Sequence, residues 1–319
     1  MKPTFSVIIP AFNEQEVLEA SFQRIDAVMR EMGEPYELIF VNDGSRDRTR
    51  DILQRLAREH SCVRALHLSR NFGQQNATTA GLGEARGDAM VIIDCDLQDP
   101  PEVIPEMVKK WRDGEADIVY GKRTKREGET ALKRLTSWGF YRTMNALTGF
   151  PIPEDTGDFR LMSRASVDAF LAMPERNRYL RGMFAWVGFR QGKVQFHRDK
   201  RFAGETKYSY AKMVRLALDG MISFSIKPLV AVLVLGLLLC AVGVIWLLGL
   251  LMLTLFGRRA GLSFSALAAL MVFLSGLAIT SVGIIGAYVG RIYDEAKGRP
   301  LYVIAERDGF GAGRNGDSR

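Results

Sequence analysis

Two carboxylates stand one residue apart in Asp94-Cys95-Asp96, at the end of a strand predicted over residues 89–94. Asp94 and Asp96 can face a hard divalent cation, which prefers oxygen ligands. Such a cation would neutralise the charge of a bound nucleotide diphosphate and help the diphosphate leave. The alternative is an acidic turn that caps the helix beginning at Pro101, since so short a motif occurs in many proteins. Polar residues at the neighbouring strand ends favour the metal site.

Two further carboxylates have two interpretations each. Asp43 can belong to a turn that caps the helix predicted at residues 48–59, or it can accept a hydrogen bond from a nucleobase or a ribose hydroxyl. Both roles can hold together. Asp158 can be a catalytic base or the partner of a nearby arginine, and the sequence favours the arginine partner. The motif Gly157-Asp158-Phe159-Arg160 is expected to lie beyond the sheet.

Other patterns do not indicate a site. The glycines at 81, 83 and 87 superficially match a dinucleotide-binding loop, but they follow a predicted helix and their spacing is wrong. A helix C-cap is the better interpretation. The three histidines, His60, His67 and His197, lack metal-ligand spacing, so each is predicted to be structural or solvated.

Short apolar runs alternate with amphipathic stretches, which is typical of βα units on a parallel sheet. Strands are predicted at residues 5–10, 36–42, 63–69, 89–94 and 117–121. Helices are predicted at residues 16–32, 48–59, 74–85 and 101–113. Ligands bind at the carboxyl ends of strands in open α/β sheets, so four clusters are expected to line one crevice. They are Asn13-Glu14, Asp43-Gly44-Ser45, Arg70-Asn71 and Asp94-Cys95-Asp96.

The distribution of apolar residues indicates a membrane protein. The 319 residues are 47% hydrophobic and 25% charged, which excludes disorder, collagen-like repeats and disulfide scaffolds. The three cysteines form no CxxC pair, which fits a reducing compartment. Residues 228–256 and 260–290 carry no charge, and each run exceeds the roughly 20 apolar residues that cross a bilayer. Because only residues 257–259 separate them, they predict an antiparallel transmembrane hairpin.

Basic residues give the chain a net charge of +7 and gather beside the predicted spans, which indicates anionic lipid or a phosphate-bearing substrate. No nucleic-acid motif accompanies them, so nucleic acid is not a predicted partner. Residues 132–147 and 204–226 mix apolar and basic side chains, as in helices at a membrane interface or packed on the domain. The basic flanks place the domain in the cytoplasm, although Arg258 and Arg259 oppose this orientation.

The motifs together resemble the family 2 inverting glycosyltransferases, which have the GT-A fold. Four motifs carry this resemblance, at residues 6–14, 41–45, 70–73 and 94–101. Further motifs resemble the polyprenyl-phosphate glycosyltransferases, and most of all the bactoprenol glucosyltransferases of O-antigen modification. These lie at residues 157–164, 173–177, 201–208, 290–293 and 297–300. The resemblance covers roughly residues 4–303.

The resemblance implies a role for each matching residue. Pro10, Asn13, Glu14, Asp43 and Ser45 would surround the uridine of a nucleotide-sugar. Asp94, Asp96 and Gln98 would hold Mg²⁺ or Mn²⁺ and the diphosphate. The positions that bind the acceptor phosphate in the related dolichol-phosphate mannose synthases are occupied here by Arg123, Lys133, Ser137 and Arg201. Asp158 matches the candidate base of the family.

Two residues depart from the family pattern. Asn42 stands where many similar proteins have Asp, which leaves Asp43 as the main acceptor there. Cys95 replaces a small or apolar residue between the two aspartates, and it should be tolerated because its side chain points away from its neighbours on an extended strand.

The resemblance therefore implies transfer of glucose from UDP-glucose to undecaprenyl phosphate at the cytoplasmic face of the inner membrane. The alternatives are another sugar (mannose, an N-acetylhexosamine or an amino-arabinose) or a non-catalytic membrane adaptor that binds a nucleotide-sugar. A homo-oligomer is left open. The expected organisation is a GT-A, Rossmann-like α/β domain at residues 1–203, a juxtamembrane amphipathic helix at 204–227, transmembrane helices at 228–256 and 260–290, and a cytoplasmic tail at 291–319.

Overall fold

The computed structural model describes residues 2–124, 156–197 and 264–310, with isolated positions between 229 and 252. The chain divides into two compact units. The first comprises Met1–Arg215 with Arg299–Arg319, and the second comprises Leu216–Gly298.

The first unit contains an eight-stranded mixed sheet in the order β7-β5-β6-β4-β1-β2-β3-β8. Its strands are β1 (Phe5–Ala11), β2 (Tyr36–Asn42), β3 (Val63–Leu68), β4 (Ala89–Ile92), β5 (Ile118–Arg123), β6 (Thr156–Ser163), β7 (Gln191–Phe196) and β8 (Ile304–Asp308). Its helices are α1 (Leu18–Glu31), α2 (Thr49–Glu59), α3 (Gln74–Glu84), α4 (Ile104–Arg112), α5 (Arg164–Leu171) and α6 (Leu180–Trp186), and a 3₁₀ turn at Pro101–Val103 leads into α4.

The core lies on both faces of the central strands. All seven residues of β1 are buried, as expected for a strand that is covered by helices on both sides. On α1 the buried residues Leu18, Phe22, Ile25 and Met29 recur at helical spacing and form one apolar stripe. Burial of each such side chain contributes about 1.5–3 kcal/mol to folding.

The predicted strands and helices are confirmed, with each end within two residues of its expected position when the 3₁₀ turn is counted with α4. The prediction of a parallel sheet is wrong in two places. Strands β1 to β4 pair in parallel, but β6 pairs antiparallel with both β4 and β5, and β8 pairs antiparallel with β3. The expectation that Asp158 lies beyond the sheet is also wrong, because Asp158 is part of β6. Local periodicity identifies a strand but does not identify its partner.

The segment 81–87, interpreted as a helix C-cap, does contain the end of α3, but the cap residue is not a glycine. Gly81 lies within α3, and a Cβ atom there would come 2.5 Å from Cγ2 of Ile8 on β1. The missing side chain therefore lets α3 pack closely against the central strand. The helix ends at Glu84, and its C-cap is Ala85.

The segment expected to be a cytoplasmic tail contributes to the sheet. Strand β8 covers the outer edge of β3, and the backbone N–H of Ser69 donates to the carbonyl of Val303 at 2.9 Å. β8 is then the edge strand itself; it is short and carries Glu306, Arg307 and Asp308, features that discourage further strand pairing.

The second unit contains α7 (Phe264–Ala296), which continues six residues past the predicted end of the second span. Over Phe273–Ala296 it is long and apolar enough to cross a membrane. Its large apolar side chains are exposed, with Ile279 at 73% and Val282 at 68%. Most of the first span at 228–256, and the whole of the predicted amphipathic segments at 132–147 and 204–226, lie outside the described residues, so the hairpin stays a prediction.

Candidate active site

The loops that follow β1 and β2 are joined by reciprocal hydrogen bonds. The backbone N–H of Asn13 donates to Ser45 Oγ at 2.9 Å, and the backbone N–H of Arg46 donates to Asn13 Oδ1 at 2.9 Å. The backbone N–H of Glu14 donates to Thr49 Oγ1 at 3.0 Å. Three of the predicted nucleotide-binding residues, Asn13, Glu14 and Ser45, are therefore brought together.

Asp43 anchors the loop that follows β3. Its two carboxylate oxygens accept hydrogen bonds from the backbone N–H groups of Phe72 and Gly73, at 2.7 and 2.8 Å. The side chain is buried, and burial raises the pKa of Asp43, although these two hydrogen bonds and the charge of Arg70 oppose the increase. The alternative interpretation, that this turn caps α2, is wrong, because the N-cap residue is Arg48 and the N–H of Thr49 bonds to Asp47.

Gly44 allows these two loops to touch. Its φ of +67° lies in the left-handed region, and a Cβ atom would stand 2.4 Å from the carbonyl carbon of Arg70. No side chain fits at this position without separating the loops. The Asp43–Ser45 and Arg70–Asn71 clusters therefore meet as predicted.

The carboxylate pair lies in a turn after β4, which ends at Ile92, and not on an extended strand as expected. Cys95 is buried, whereas Asp94 and Asp96 are only partly buried, so the two carboxylates point away from the core. Gln74 Nε2 donates to Asp94 Oδ1 at 2.7 Å, which ties the start of α3 to the pair. The N–H of Gln98 donates to Asp96 Oδ1 at 3.1 Å.

Backbone strain is concentrated in this site. Among the described residues, the non-glycine residues with positive φ are Asn13 (55°) and Leu97 (57°). Leu97 directly follows Asp96, and Asn13 belongs to the predicted nucleotide-binding set. Strained residues persist where the surrounding structure holds them, and such positions cluster at functional sites.

The donor set at 94–98 fits a hard cation. Two carboxylates and one amide offer oxygen ligands, and Mg²⁺ is commonly held by one or two carboxylates together with substrate phosphates. Within the described part of the chain, no three His, Cys, Asp or Glu side chains gather to form a cage made by protein alone.

Asp158 has the arginine partner that the sequence favoured. Arg181 is on α6, and its Nε donates to Asp158 Oδ1 at 2.9 Å. In the pairing of β4 with β6, Ile92 lies opposite Arg160. Since the strands are antiparallel, Asp158 lies two residues beyond this pair, on the side where Asp94 follows β4.

Arg160 supports the backbone on which Asp158 lies. Its guanidinium is buried, donates to the carbonyl oxygens of Gly157 at 2.9 Å and Asp158 at 3.2 Å, and lies 4.5 Å from the ring centre of Phe184. Burial lowers the pKa of Arg160 to about 10, against the opposing effect of Asp158, so it stays charged at neutral pH.

The structure gives few or no contacts for the remaining predicted site residues. Pro10 is buried on β1, where it pairs in register with Val41. Arg123 ends β5. Three predicted phosphate-binding residues, Lys133, Ser137 and Arg201, lie outside the described residues. Sequence reasoning missed Gln74 and Arg181, since neither belongs to a motif that signals chemistry.

Comparison with known proteins gives a consistent result. The model of the family described as "Glycosyl transferase family 2" matches residues 6–171. The chain is 46% identical over 310 residues to "Uncharacterized glycosyltransferase YkcC" of Bacillus subtilis, covering 96% of this chain and 94% of the relative. It is 39% identical over 303 residues to "Bactoprenol glucosyl transferase" of Shigella phage SfII, covering 94% and 96%.

One solved structure among those similar to this chain is glucosyl-3-phosphoglycerate synthase from Mycobacterium tuberculosis, in complex with Mn²⁺, UDP-glucose and phosphoglyceric acid. It is 19% identical with a TM-score of 0.48, covering 69% of this chain and 78% of that chain.

Proposed function

This chain belongs to glycosyl transferase family 2, and we propose that it transfers glucose from UDP-glucose to undecaprenyl phosphate. The observation that carries the proposal is the convergence of the strand-end loops, joined by Asn13 to Ser45, by Asp43 to Gly73 and by Gln74 to Asp94. The name of the phage relative, which aligns with 94% of this chain, supports glucose and a bactoprenol acceptor.

The donor would bind across the carboxyl ends of β1, β2 and β4. Asn13, Glu14, Asp43 and Ser45 would surround the uridine, with Pro10 beneath them on β1. The hydrogen bonds between their loops fix these groups before the donor arrives. A preorganised site loses less conformational entropy on binding.

Asp94, Asp96 and Gln98 would hold a divalent cation beside the diphosphate. When bound, Mg²⁺ or Mn²⁺ neutralises the charge that develops on the departing UDP. Gln74 orients Asp94 through its hydrogen bond of 2.7 Å. The protein therefore supplies fixed oxygen ligands on the side of the sheet where the diphosphate would leave.

The acceptor phosphate would approach from the side of Asp158. A phosphate oxygen attacks the anomeric carbon in line, the bond from that carbon to the UDP oxygen breaks, and the configuration inverts. Because a phosphate monoester is largely ionised near neutral pH, no strong base is required. Asp158, held by Arg181, would position the acceptor, while Arg123, Lys133, Ser137 and Arg201 would bind its phosphate.

The lipid chain of the acceptor would remain in the membrane. The exposed apolar surface of α7 supports a membrane anchor, and we propose that the runs at 228–256 and 260–290 form a hairpin with the domain in the cytoplasm.

The test is product analysis with the full-length protein in detergent or nanodiscs. Undecaprenyl phosphate is incubated with a mixture of UDP- and GDP-sugars and Mg²⁺ or Mn²⁺, and the lipid is analysed by mass spectrometry. A hexose added from UDP-glucose supports the proposal. A different sugar would redirect the donor assignment, and UDP binding without turnover on any donor would favour a non-catalytic adaptor.

A further inference from the structure

A line of hydrogen bonds through two buried side chains joins the C-terminal strand to the loop that follows β2. Asp308 Oδ2 on β8 lies 2.9 Å from His67 Nε2, and His67 Nδ1 lies 3.0 Å from Asn42 Nδ2. Asn42 Oδ1 then accepts from the backbone N–H of Ser45 at 3.0 Å. His67 and Asn42 are each 2% exposed, so the bond between them is shielded from water, whereas Asp308 and Ser45 at the two ends are partly exposed.

The donor and acceptor at each step are determined by the ends of the line. The N–H of Ser45 can only donate, so Asn42 presents its oxygen to Ser45 and its NH₂ to His67. His67 Nδ1 must therefore accept, and its proton is on Nε2, where it is donated to the Asp308 carboxylate. Burial lowers the pKa of His67, although Asp308 opposes the decrease, and a neutral ring is the form that this arrangement needs.

The line ends at the residues assigned above to the nucleotide. Ser45 Oγ accepts from the N–H of Asn13, and Asp43 lies between Asn42 and Ser45. A shift of Asn42 would therefore move the residues on both sides of the proposed uridine site. We propose that His67 and Asp308 are positioning residues for nucleotide binding, and that β8 is thereby part of the donor site. This inference rests on the proposed function.

Strand β8 is held in place by contacts other than His67. Glu306 pairs with Arg50, and Gln54 Nε2 donates to Glu306 at 3.2 Å. Arg307 pairs with Glu84 on α3 at 3.0 Å. Removing the His67 ring should therefore leave the strand attached while releasing Asn42, which separates a positioning role from simple loss of β8.

The first experiment measures hydrogen–deuterium exchange and UDP affinity in the full-length protein. In His67→Ala, peptides covering residues 42–49 should exchange faster, whereas peptides covering 304–308 should exchange at the wild-type rate. UDP should bind roughly tenfold more weakly. A tenfold change in affinity corresponds to about 1.4 kcal/mol, which is the contribution of about one hydrogen bond. His60→Ala is the control, since His60 packs against Phe22 instead.

The outcomes separate the two proposals. Unchanged exchange at residues 42–49 overturns the positioning role, whether or not UDP binds. Faster exchange with unchanged UDP affinity overturns it as well, because the loop would then not govern the nucleotide. A wild-type protein that binds no UDP overturns both the proposed donor and the positioning role. A wild-type protein that binds UDP but transfers no sugar contradicts the proposed reaction alone.

The second experiment uses Asn42→Asp to reverse the dependence of UDP affinity on pH. A carboxylate at 42 cannot donate to Nδ1, so the line would re-form only when His67 is protonated on both nitrogens. The charged groups around His67 are Asp308, Glu306 and Arg50. We expect UDP affinity to fall on acidification in the wild type and to rise in Asn42→Asp. Parallel pH profiles of UDP affinity in the two proteins would overturn the proposed positioning role of His67.

Discussion

At the scale of single residues, the site depends on carboxylates with distinct partners. Asp94 accepts from Gln74, Asp96 from the N–H of Gln98, and Asp158 from Arg181. Asp158 is paired with a cationic side chain. We propose that Asp94 and Asp96 hold the metal and that Asp158 positions the acceptor.

Replacing Asp96 tests the metal assignment. Asp96→Ala should lower the transfer rate by at least about 100-fold, because metal stabilisation of the leaving group contributes several kcal/mol. Steady-state rates are compared with those of Asp51→Ala, which removes an exposed carboxylate on α2. Near wild-type turnover by a folded Asp96→Ala protein would contradict the assignment.

Replacing Asp158 distinguishes a base from a positioning group. Asp158→Asn keeps an oxygen for Arg181 but removes the charge, so we expect a loss of roughly tenfold, below the 10²–10⁴ that general-base catalysis contributes. The pH–rate profile should keep its shape. A loss above about 1,000-fold with a missing acidic limb would support a base, and Asp168→Asn on α5, whose side chain is 60% exposed, is the control.

At the scale of elements, the site is made by loops that approach closely because the strands beneath them are in register. Strands β1 and β2 pair from Phe5–Tyr36 to Ala11–Asn42, so the loops after them begin side by side. The contact of the loops after β2 and β3 further requires Gly44. Loop geometry here is a consequence of strand pairing, with one glycine at the tightest point.

Gly44→Ala should separate these loops. Its Cβ clash adds about 1–3 kcal/mol to the cost of a positive φ, and UDP affinity should fall with the melting temperature. Gly33→Ala is a matched control, since Gly33 has a φ of +69° but no atom lies within 4 Å of the position that its new methyl group would take. Equal effects in the two variants would show that φ alone matters and that the close approach does not.

At the scale of the whole molecule, the chain returns after α7 to complete the sheet with β8. The contacts of β8 with β3, α2 and α3 join the end of the chain to its first half. Stability of the first unit should therefore depend on groups more than 200 residues apart in sequence, including the pair His67–Asp308.

Stability should fall on acidification because of His67. Its pKa in the folded protein lies below the ordinary value of 6.5, so between the two values the unfolded chain binds a proton that the folded chain does not. This contribution is complete above pH 6.5 and is lost as the pH decreases below that value. Melting temperatures from pH 7.5 to 5 should show a shallower decrease in His67→Gln than in the wild type. Identical slopes would contradict the assignment.

Much of this protein is determined by its sequence alone. Apolar periodicity predicted β1 to β5 and α1 to α4, because burial on one stripe or both faces of an element leaves a local pattern. The polar residues after four strands predicted a common site, since the ends of parallel strands meet at one edge.

Only the tertiary structure decided the rest. The insertion of β6 between β4 and β5, the return of β8 to β3, and the pairing of Asp158 with Arg181 join segments that are distant in sequence. Local pattern identifies a strand or a charged side chain, but its partner is the one that minimises the free energy of the whole fold. For that reason His67 has no signal in the sequence, although it lies between Asn42 and Asp308 in the structure.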